Sequence, residues 1–357
     1  MRTAGRGASG EGLSFRFGGF ESRVMFVRDP GAAISPGSGR ALLLFDASLL
    51  RLRGGELPRP GGAGIVEVAP GEGSKSWESA RDILEAALER TLARDDTIVG
   101  VGGGVVCDLA AFCASVYMRG CNLILVPTSL LAMVDASLGG KTAVNFGGFK
   151  NLVGTFYPAT EIRVWSGALS SLPERELLSG LSEAIKTALI GDPELLALLD
   201  RERRQLLACD LTLLETVVRR CLVVKGRVVE EDLREGGARA VLNLGHTFAH
   251  ALEAAVGFGE WSHGEAVAWG MAQALRLGTR LAVTPREHAE RVVALLDSYG
   301  YRTAASVGAD PRRLIGAMRA DKKRRDGSLR LVLQRGIGDT VVQVVEEAIV
   351  LESLQDG

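Results

Sequence analysis

The sequence has few of the features that mark a secreted or membrane protein. Its 357 residues include five cysteines, an odd number, and no two of them form a CxxC pair. Neither a disulfide framework nor a zinc ribbon is therefore indicated. No run approaches the roughly 18 apolar residues that a membrane span needs, and residues 1–15 lack the apolar core of a signal peptide. We expect a cytoplasmic protein that has no membrane partner.

An excess of charge of one sign is also absent. The 42 Lys and Arg residues are balanced by 43 Asp and Glu residues, which gives a formal net charge of −1. This balance gives no global reason to expect nucleic acid or an acidic membrane surface as a partner. Recognition of an anion must therefore come from local clusters of Lys and Arg. The length, with 46% hydrophobic residues, fits a globular protein of two domains.

The first half of the chain alternates between strand-like and helix-like patterns. Short apolar runs predict buried strands, and one longer segment, residues 77–94, has its apolar residues at helical spacing. Such alternation predicts a parallel sheet covered by helices. Residues 1–20 are rich in glycine and are predicted to be an irregular leader, and residues 135–151 a loop-rich tail. The predicted strands are residues 41–45, 65–68, 97–101 and 123–126.

After Pro173 the pattern becomes mostly helical, and strand-like runs return only near the end. We therefore predict an α/β nucleotide-binding domain over residues 1–168 and a mostly helical domain over residues 169–357. The helical segments are residues 174–190, 193–207, 211–231, 243–256, 264–281 and 286–299, and the late strands are residues 329–333 and 340–344.

A glycine turn, Gly100–Gly104, begins at the end of the third predicted strand and precedes a predicted helix. A strand, a glycine turn and a helix make a natural site for a pyrophosphate. The turn departs from the dinucleotide fingerprint because its sixth position is Val105, so a tight turn without a ligand is the alternative. Asp108 would either bind a ligand or favour the helix N-terminus. Asp46, at another strand end, would either bind a ribose hydroxyl or form a turn.

Histidine is scarce, and three of the four histidines lie within 18 residues. His246 and His250 are four residues apart, so a helix places both on one face, as in paired zinc ligands. The Glu of an H-E-x-x-H motif is missing. A third ligand would come from His263 or from an upstream acid such as Glu183. Buried structural histidines are the alternative.

Glu183 lies three residues before Lys186 on a predicted helix with apolar flanks. Such a pair is usually a surface ion pair. On an apolar helix, however, it indicates a site, because burying charge is costly. Other cationic residues recur beside glycines or inside motifs, and if they converge they suit a substrate with a phosphate and a carboxylate. Each alone is more often solvated. They are Arg119, Lys141, Lys150, Lys225, Arg239 and Lys322.

Eight segments resemble, in order, the 3-dehydroquinate synthases of the sugar phosphate cyclase family. They cover roughly residues 97–335 and read GGGVVCD, YMRG, VPTSLLAMVDASLGGKTAVN, KNLVGTFYP, LSEAIK, LNLGHTFAHALE, SHGEAVAWGM and DKKRRDG. The resemblance implies a Rossmann-like NAD-binding domain with a parallel sheet, a helical domain, an active site in the cleft between them, and a homodimer. It extends to the glycerol dehydrogenase group, which binds NAD without the standard fingerprint.

The resemblance also implies a reaction. With NAD and one divalent metal ion, zinc or cobalt, the family converts 3-deoxy-D-arabino-heptulosonate 7-phosphate to 3-dehydroquinate and phosphate. This is a step of the shikimate pathway to chorismate and aromatic amino acids. Transient oxidation by NAD allows phosphate elimination, and re-reduction and an intramolecular aldol closure follow, so the enzyme is a lyase with no net redox change. Its substrate is a small anionic sugar phosphate.

Residue roles come from the matching motifs. The implied metal ligands are Glu183, His246 and His263, which makes His250 a catalytic or substrate-binding residue and not a ligand. The implied catalytic and substrate residues are Arg119, Asp135, Lys141, Asn151, Lys186, Lys225, Arg239, Asn243, His250 and Lys322. The implied NAD-binding residues are Asp46, Glu72, Lys75, Gly103, Gly104, Asp108, Thr128, Ser129, Lys141 and Lys150.

Two departures from the family pattern and three rival functions stay open. Ser129 replaces a common threonine but keeps the hydroxyl, and Cys107 replaces a common glycine beside the glycine turn. The nearest rival is another cyclase of the family, for sedoheptulose 7-phosphate or for an amino analogue of the usual substrate. The residues at Arg239, Leu242 and Asn243 favour the dehydroquinate type over the first, whereas an amino-analogue enzyme keeps most of the same residues. A metal-dependent polyol dehydrogenase is the second rival, and a non-enzymatic binding protein is the third.

Overall fold

The computed structural model describes residues 12–37, 39–257, 260–322 and 327–355, without the side chains of residues 320–322. The chain forms two compact units. The first runs up to Leu172 and includes Leu214–Arg234, and the second comprises Pro173–Leu213 and the residues from Glu235 onward. The main division lies near the predicted boundary between residues 168 and 169, and the segment Leu214–Arg234 is grouped with the first unit in addition.

A seven-stranded sheet forms the centre of the first unit. Its strand order is β1-β2-β9-β6-β5-β3-β4. The first two strands pair antiparallel, and every other neighbouring pair is parallel. The strands are β1 Leu13–Phe17, β2 Phe20–Phe26, β3 Ala41–Asp46, β4 Gly64–Val68, β5 Thr97–Gly102, β6 Asn122–Pro127 and β9 Glu161–Val164.

The inner strands have apolar side chains on both faces because helices cover the sheet. All six residues of β5 are buried, which is typical of a parallel sheet and not of an alternating amphipathic strand. This confirms the predicted α/β architecture. The helices of this unit are α1 Pro30–Ile34, α2 Ala47–Arg53, α3 Trp77–Glu89, α4 Gly104–Val116 and most of α8 Leu211–Glu231.

A separate hairpin also belongs to the first unit. It consists of β7 Lys141–Phe146 and β8 Phe149–Phe156, which pair antiparallel. Gly147 and Gly148 connect them with φ values of +59° and +83°. Positive φ at both central residues is what a two-residue type I′ turn requires, and glycine adopts it without steric cost. The hairpin places Lys141, Lys150 and Asn151 on two adjacent strands.

The second unit is mainly helical, as predicted. Its core lies around α10, in which Trp269 is fully buried. The helices are α5 Glu174–Gly191, α6 Pro193–Arg201, α7 Arg203–Leu207, α9 His246–Val256, α10 His263–Arg280, α11 Arg286–Ser298, α12 Pro311–Lys322 and α13 Glu347–Gln355. The strands β10 Ser328–Gly336 and β11 Asp339–Glu346 form an antiparallel hairpin.

Two glycines allow α10 to touch its neighbours backbone to backbone. A Cβ atom added to Gly264 would lie 2.3 Å from the Cα of Ser179 in α5, and one added to Gly270 would lie 2.1 Å from the carbonyl oxygen of Gly245, just before α9. Real Cβ atoms do not come so close, and backbone atoms cannot move aside cheaply. The glycines therefore set the spacing of α5, α9 and α10, and this spacing brings the first residues of α9 and α10 to the middle of α5.

Several local predictions are wrong. The leader predicted over residues 1–20 is wrong from residue 13 onward, because Leu13–Phe17 and Phe20–Phe26 form a hairpin; residues 1–11 lie outside the described residues. The loop-rich tail after Asp135 is largely the β7–β8 hairpin. The single helix predicted over residues 193–207 is two helices, α6 and α7.

Replacing Gly270 by Ala tests the close packing of α10. Overpacking should lower the free energy of unfolding by about 1–3 kcal/mol, because the new methyl group meets backbone. Gly316→Ala, in the interior of α12 with nothing within 4 Å of the new Cβ, is the matched control. It should be neutral or stabilising by about 0.5–1 kcal/mol. Urea denaturation of both variants measures this, and equal stabilities would contradict the packing argument.

Candidate active site and metal centre

A carboxylate and two imidazoles meet in the second unit. Glu183 lies in the middle of α5 and is fully buried, while His246 and His263 are the first residues of α9 and α10. The Oε1 atom of Glu183 lies 3.6 Å from Nε2 of His246 and 3.4 Å from Nε2 of His263. One ligand atom from each of the three residues lies within 4.8 Å of the other two. The cluster has the size of a metal-ion site.

The chemistry of the donor set fits zinc or cobalt. Tetrahedral coordination with ligand bonds of about 2.0–2.1 Å separates ligand atoms by about 3.3 Å, close to the spacing found here. One carboxylate and two imidazoles also leave a coordination position for substrate or water. The second Glu183 oxygen lies 2.5 Å from the buried Nζ atom of Lys186. A buried carboxylate requires such compensation, because an isolated charge in an apolar interior is very costly.

The two histidines titrate in opposite directions. Burial, assisted by the nearby Lys186 ammonium group, lowers the pKa of His246 to about 3. This ring is therefore neutral, which is the form that binds a metal ion. Burial also acts to lower the pKa of His263, but the carboxylates of Glu183 and Glu253 outweigh it and raise that pKa to about 9. A proton and a metal ion therefore compete for His263.

Glu253 is a site residue that sequence reasoning missed. It lies on α9, and its Oε1 atom is 3.4 Å from Nδ1 of His263. A carboxylate behind a ligand histidine fixes the orientation of the ring and raises its basicity. The signal was present in the sequence, because Glu253 follows His246 by seven residues, or two helical turns, and so lies on the same face of α9.

The other predicted residues of the second unit lie nearby or outside the described side chains. The ring of His250 is exposed and its centroid is 5.6 Å from that of His246, but it contributes no atom to the cluster. Asn243 donates from Nδ2 to Oε1 of Glu235 at 2.6 Å, and Arg239 is buried in the same 3₁₀ turn, Ala238–Asn243. Lys322 ends α12, and its side chain is outside the described set.

In the first unit, the glycine turn stands at the carboxyl ends of two adjacent parallel strands. Gly102 pairs with Pro127, and the amide of Thr128 donates to the Gly102 carbonyl at 2.9 Å. Gly103 precedes α4 and Gly104 is its first residue, so backbone N–H groups are presented at this edge. Ser129 Oγ accepts from the amide of Ala132 at 3.2 Å, so the serine caps the segment that follows. This is the edge at which ligands bind to open α/β sheets.

A lysine-centred network lies beside the glycine turn. Lys75 is only 4% exposed, and its ammonium group binds the carboxylate of Asp108 and the side-chain oxygen of Asn151. Burial raises the pKa of Asp108, and the Lys75 ammonium acts against this effect. Thr142 Oγ1 donates to the Asp108 carbonyl at 2.8 Å, which ties β7 to α4. The network joins residues predicted to meet NAD with one predicted to meet substrate.

A second pair links α8 to the turn after β6. Lys225 donates to the carbonyl of Asp135 at 2.6 Å and to its carboxylate. Lys141 and Lys150 are exposed on β7 and β8. Arg119 is exposed with a φ of +66° in the turn after α4. Lys141 and Lys150 therefore lie on the hairpin that follows β6, and Lys225 contacts the turn after β6. The structure does not bring Arg119 to this group, because Arg119 lies between the end of α4 and the start of β6, at the opposite end of the sheet from the glycine turn.

Asp46 behaves as the turn-forming alternative predicts. Its Oδ1 atom accepts from the amides of Ser48 at 2.7 Å and Leu49 at 3.3 Å, which caps α2. Its Cβ atom lies 3.1 Å from where a Cβ of Gly102 would be, so it stands next to the glycine turn. Its ribose contact stays a prediction. Cys107 is accommodated in the first turn of α4, where it is buried and its Sγ atom lies 3.7 Å from the Gly102 carbonyl.

Among the described residues, no helix is both long enough and apolar enough to span a membrane. Two solved structures share the whole fold. One is 2-deoxy-scyllo-inosose synthase complexed with carbaglucose-6-phosphate, NAD⁺ and Co²⁺, with a TM-score of 0.84, 25% identity, and 97% of this chain and 100% of that chain covered. The other is 2-epi-5-epi-valiolone synthase from Streptomyces hygroscopicus with NAD⁺ and Zn²⁺ bound, with a TM-score of 0.84, 26% identity, and 100% and 98% covered. By fold, the chain belongs to the sugar phosphate cyclase family of enzymes.

Sequence relatives narrow this class. The profile of the 3-dehydroquinate synthase N-terminal region matches residues 65–179, and that of the C-terminal region matches residues 180–324. The 3-dehydroquinate synthase of Xanthomonas campestris pv. campestris is 45% identical over 299 residues, which cover 82% of this chain and 81% of the relative. The chain belongs to the 3-dehydroquinate synthase family.

Replacing His246 by Ala tests the metal cluster. The variant should lose one bound divalent ion per chain, because a buried carboxylate and one imidazole remain as ligands. His288→Ala is the matched control, since His288 contacts Gln334 and not the cluster, and it should keep its metal ion. Metal content after gel filtration, measured by plasma mass spectrometry, distinguishes the two. A metal-loaded His246→Ala variant would contradict the assignment.

Glu253→Gln should keep the ion but bind it about 10- to 100-fold more weakly, as expected when a histidine ligand loses its carboxylate partner. Competition with a chelator measures the affinity. An affinity equal to that of the unmodified protein would show that Glu253 does not support His263.

Proposed function

We propose that this chain is a 3-dehydroquinate synthase that converts 3-deoxy-D-arabino-heptulosonate 7-phosphate to 3-dehydroquinate and phosphate. The observation that carries this proposal is the cluster of buried Glu183 with half-buried His246 and His263 in a chain 45% identical to a 3-dehydroquinate synthase. The enzyme would be a carbon–oxygen lyase that depends on NAD and one divalent metal ion. It belongs to the shikimate pathway in this proposal.

Glu183, His246 and His263 would hold the metal ion. When bound, zinc or cobalt supplies a Lewis acid and a template for neighbouring substrate hydroxyl groups. Lys186 holds the second carboxylate oxygen of Glu183 at 2.5 Å, so this carboxylate is fixed before the ion arrives. Glu253 holds the far side of the His263 ring. The donor set and the Co²⁺ and Zn²⁺ complexes of the two cyclases support this assignment.

The glycine turn and its neighbours would hold NAD. When bound, NAD accepts a hydride from the substrate and returns it, so that no net redox change occurs. The start of α4 offers backbone N–H groups to the pyrophosphate. The Lys75–Asp108 ion pair holds the start of α4 in place, and with it the backbone N–H groups of the glycine turn. The residues assigned to NAD are Asp46, Glu72, Lys75, Gly103, Gly104, Asp108, Thr128, Ser129, Lys141 and Lys150.

Cationic and amide side chains would bind the two anionic groups of the substrate. Lys225 is buried and held by Asp135, so its charge is placed and not free to move with solvent. Arg239 is buried as well and suits a carboxylate, which it can bind through two parallel hydrogen bonds. His250 and Asn243 would assist proton movement. The assigned residues are Arg119, Asp135, Lys141, Asn151, Lys186, Lys225, Arg239, Asn243, His250 and Lys322.

A cytoplasmic homodimer is part of the same proposal. The five free thiols support a reducing compartment, and the family resemblance supports the dimer. Light scattering should give twice the chain mass of 37.8 kDa.

Turnover of two heptulose phosphates side by side tests the function. With NAD and zinc or cobalt, 3-deoxy-D-arabino-heptulosonate 7-phosphate should release one phosphate per substrate without NADH build-up. Sedoheptulose 7-phosphate should react much more slowly, because it lacks the carboxylate that Arg239 is assigned to bind. Phosphate release and NADH absorbance are measured together.

The rival functions give different results in the same assay. Preference for sedoheptulose 7-phosphate would assign a different cyclase activity. Stoichiometric NADH without phosphate release would indicate a polyol dehydrogenase. No reaction with either sugar by a metal-loaded, NAD-binding protein would contradict the proposed enzyme.

A further inference from the structure

Asn145 lies between residues assigned to NAD and residues assigned to the substrate. It belongs to β7, and its backbone amide leaves the hairpin ladder and donates to the carbonyl of Lys75 at 2.8 Å. It also forms a parallel bridge with Ser76. Asn145 therefore joins the hairpin to the loop that carries Glu72 and Lys75.

A large bulge in the hairpin explains this position. Val144 pairs with Val153 and Phe146 with Phe149, so residues 150–152 of β8 stand opposite the single residue Asn145. A bulge interrupts ladder pairing and re-aims side chains, and such bulges are frequent beside active sites. This one carries Lys150 and Asn151, both assigned to the site. Asn151 has a φ of +54°, a left-handed conformation that a non-glycine residue adopts only at a cost.

The carboxamide of Asn145 holds both sides of this arrangement. Its Nδ2 atom donates to Glu72, at 3.0 Å to Oε1 and at 3.3 Å to the backbone carbonyl. Its Oδ1 atom accepts from the backbone amide of Asn151 at 2.9 Å. The reverse orientation of the amide would place an NH₂ group against the Asn151 N–H and an oxygen against two acceptors, so the contacts define the orientation.

The chain of contacts continues to the charged pair. The Asn151 side chain accepts from Lys75, and Lys75 also binds Asp108 on α4. Asn145 thus closes a ring of contacts that contains Glu72, Lys75 and Asn151. Lys75 is buried, whereas Asn145 is only half-buried at the hairpin. The ring fixes polar groups at a ligand-binding edge and adds little to the apolar core.

We propose that Asn145 is a positioning residue: it sets the geometry of the β8 bulge, with Lys150 and Asn151, relative to the loop carrying Glu72 and Lys75. NAD and substrate groups are then held at one fixed spacing. The inference rests on the proposed function, since it assigns a purpose to residues that the proposed function places at NAD and substrate. Asparagine is the required residue because one side chain must accept from an amide and donate to a carboxylate.

Two substitutions separate the halves of this role. Asn145→Ala removes both contacts. Asn145→Asp keeps an acceptor for the Asn151 amide but sets a carboxylate against Glu72. Asn122→Ala is the matched control, because Asn122 also donates from Nδ2 to a backbone carbonyl, that of Asp95, at 2.6 Å. Asn122 is the first residue of β6, at the opposite end of that strand from the glycine turn.

The measurements are NAD affinity without substrate, kcat and KM, and hydrogen exchange of the β8 segment. For Asn145→Ala we expect kcat to fall about 10²-fold, as for a misplacement of about 1 Å, with weaker NAD binding and faster exchange at Asn151. Asn145→Asp should keep slow exchange at Asn151 but bind NAD more weakly, because Glu72 is repelled. The midpoint of thermal unfolding of both Asn145 variants should match that of Asn122→Ala within error.

Two results would overturn the inference while leaving the proposed function intact. One is an active unmodified enzyme whose Asn145→Ala variant has the same kcat, KM and NAD affinity. The other is an Asn145→Ala variant whose loss of activity is explained by a lower unfolding midpoint, while its folded fraction keeps the NAD affinity of the unmodified protein. That result would make Asn145 merely structural. Inactivity of the unmodified protein would instead count against the proposed function.

Discussion

The second unit is organised around one buried charge. Glu183 has no solvent exposure and lies on a helix whose neighbouring residues are almost all buried. A carboxylate in such a place is stable only if cations or a metal ion surround it. Lys186 forms an ion pair with one oxygen, and the first residues of two other helices face the other. The glycine contacts of α10 set the spacing of α5, α9 and α10, and at this spacing both imidazoles face one carboxylate oxygen.

The first unit also contains a buried charge, that of Lys75. Lys75 is nearly as buried as the carboxylate of the other unit, and it is compensated by Asp108 and Asn151. Its partners come from a helix and from the bulged hairpin strand, so the ion pair also fixes the backbone at the glycine turn. Chemistry that transfers a hydride needs both a cofactor and an activated hydroxyl group. In the proposed function, the first unit would hold the cofactor and the second would activate the hydroxyl group, and each has a buried, paired charge among the assigned residues.

Sequence reasoning predicted the architecture because long apolar periodicities carry that information. The buried strands β3, β5 and β6 and the long helices α5, α8 and α10 were predicted within a few residues. The β1–β2 and β7–β8 hairpins were missed, because their glycine-rich sequences are also typical of irregular loops. Only the pairing of the two strands distinguishes such a hairpin from a loop. The spacing of His246 and His250 suggested two ligands on one helix. The geometry instead groups His246 on α9 with His263 on α10. Asn145 gave no local signal, because its role exists only when the bulge places it between distant segments.

The central claim is that Glu183, His246 and His263 hold one divalent metal ion. Diffraction from crystals grown with cobalt, recorded on both sides of the cobalt absorption edge, tests it most directly. We predict one strong anomalous peak per chain, within bonding distance of one oxygen of Glu183 and one nitrogen of each histidine, and no such peak in crystals of Glu183→Gln. An occupied cobalt site elsewhere in the chain, with none between these three side chains, would contradict the account.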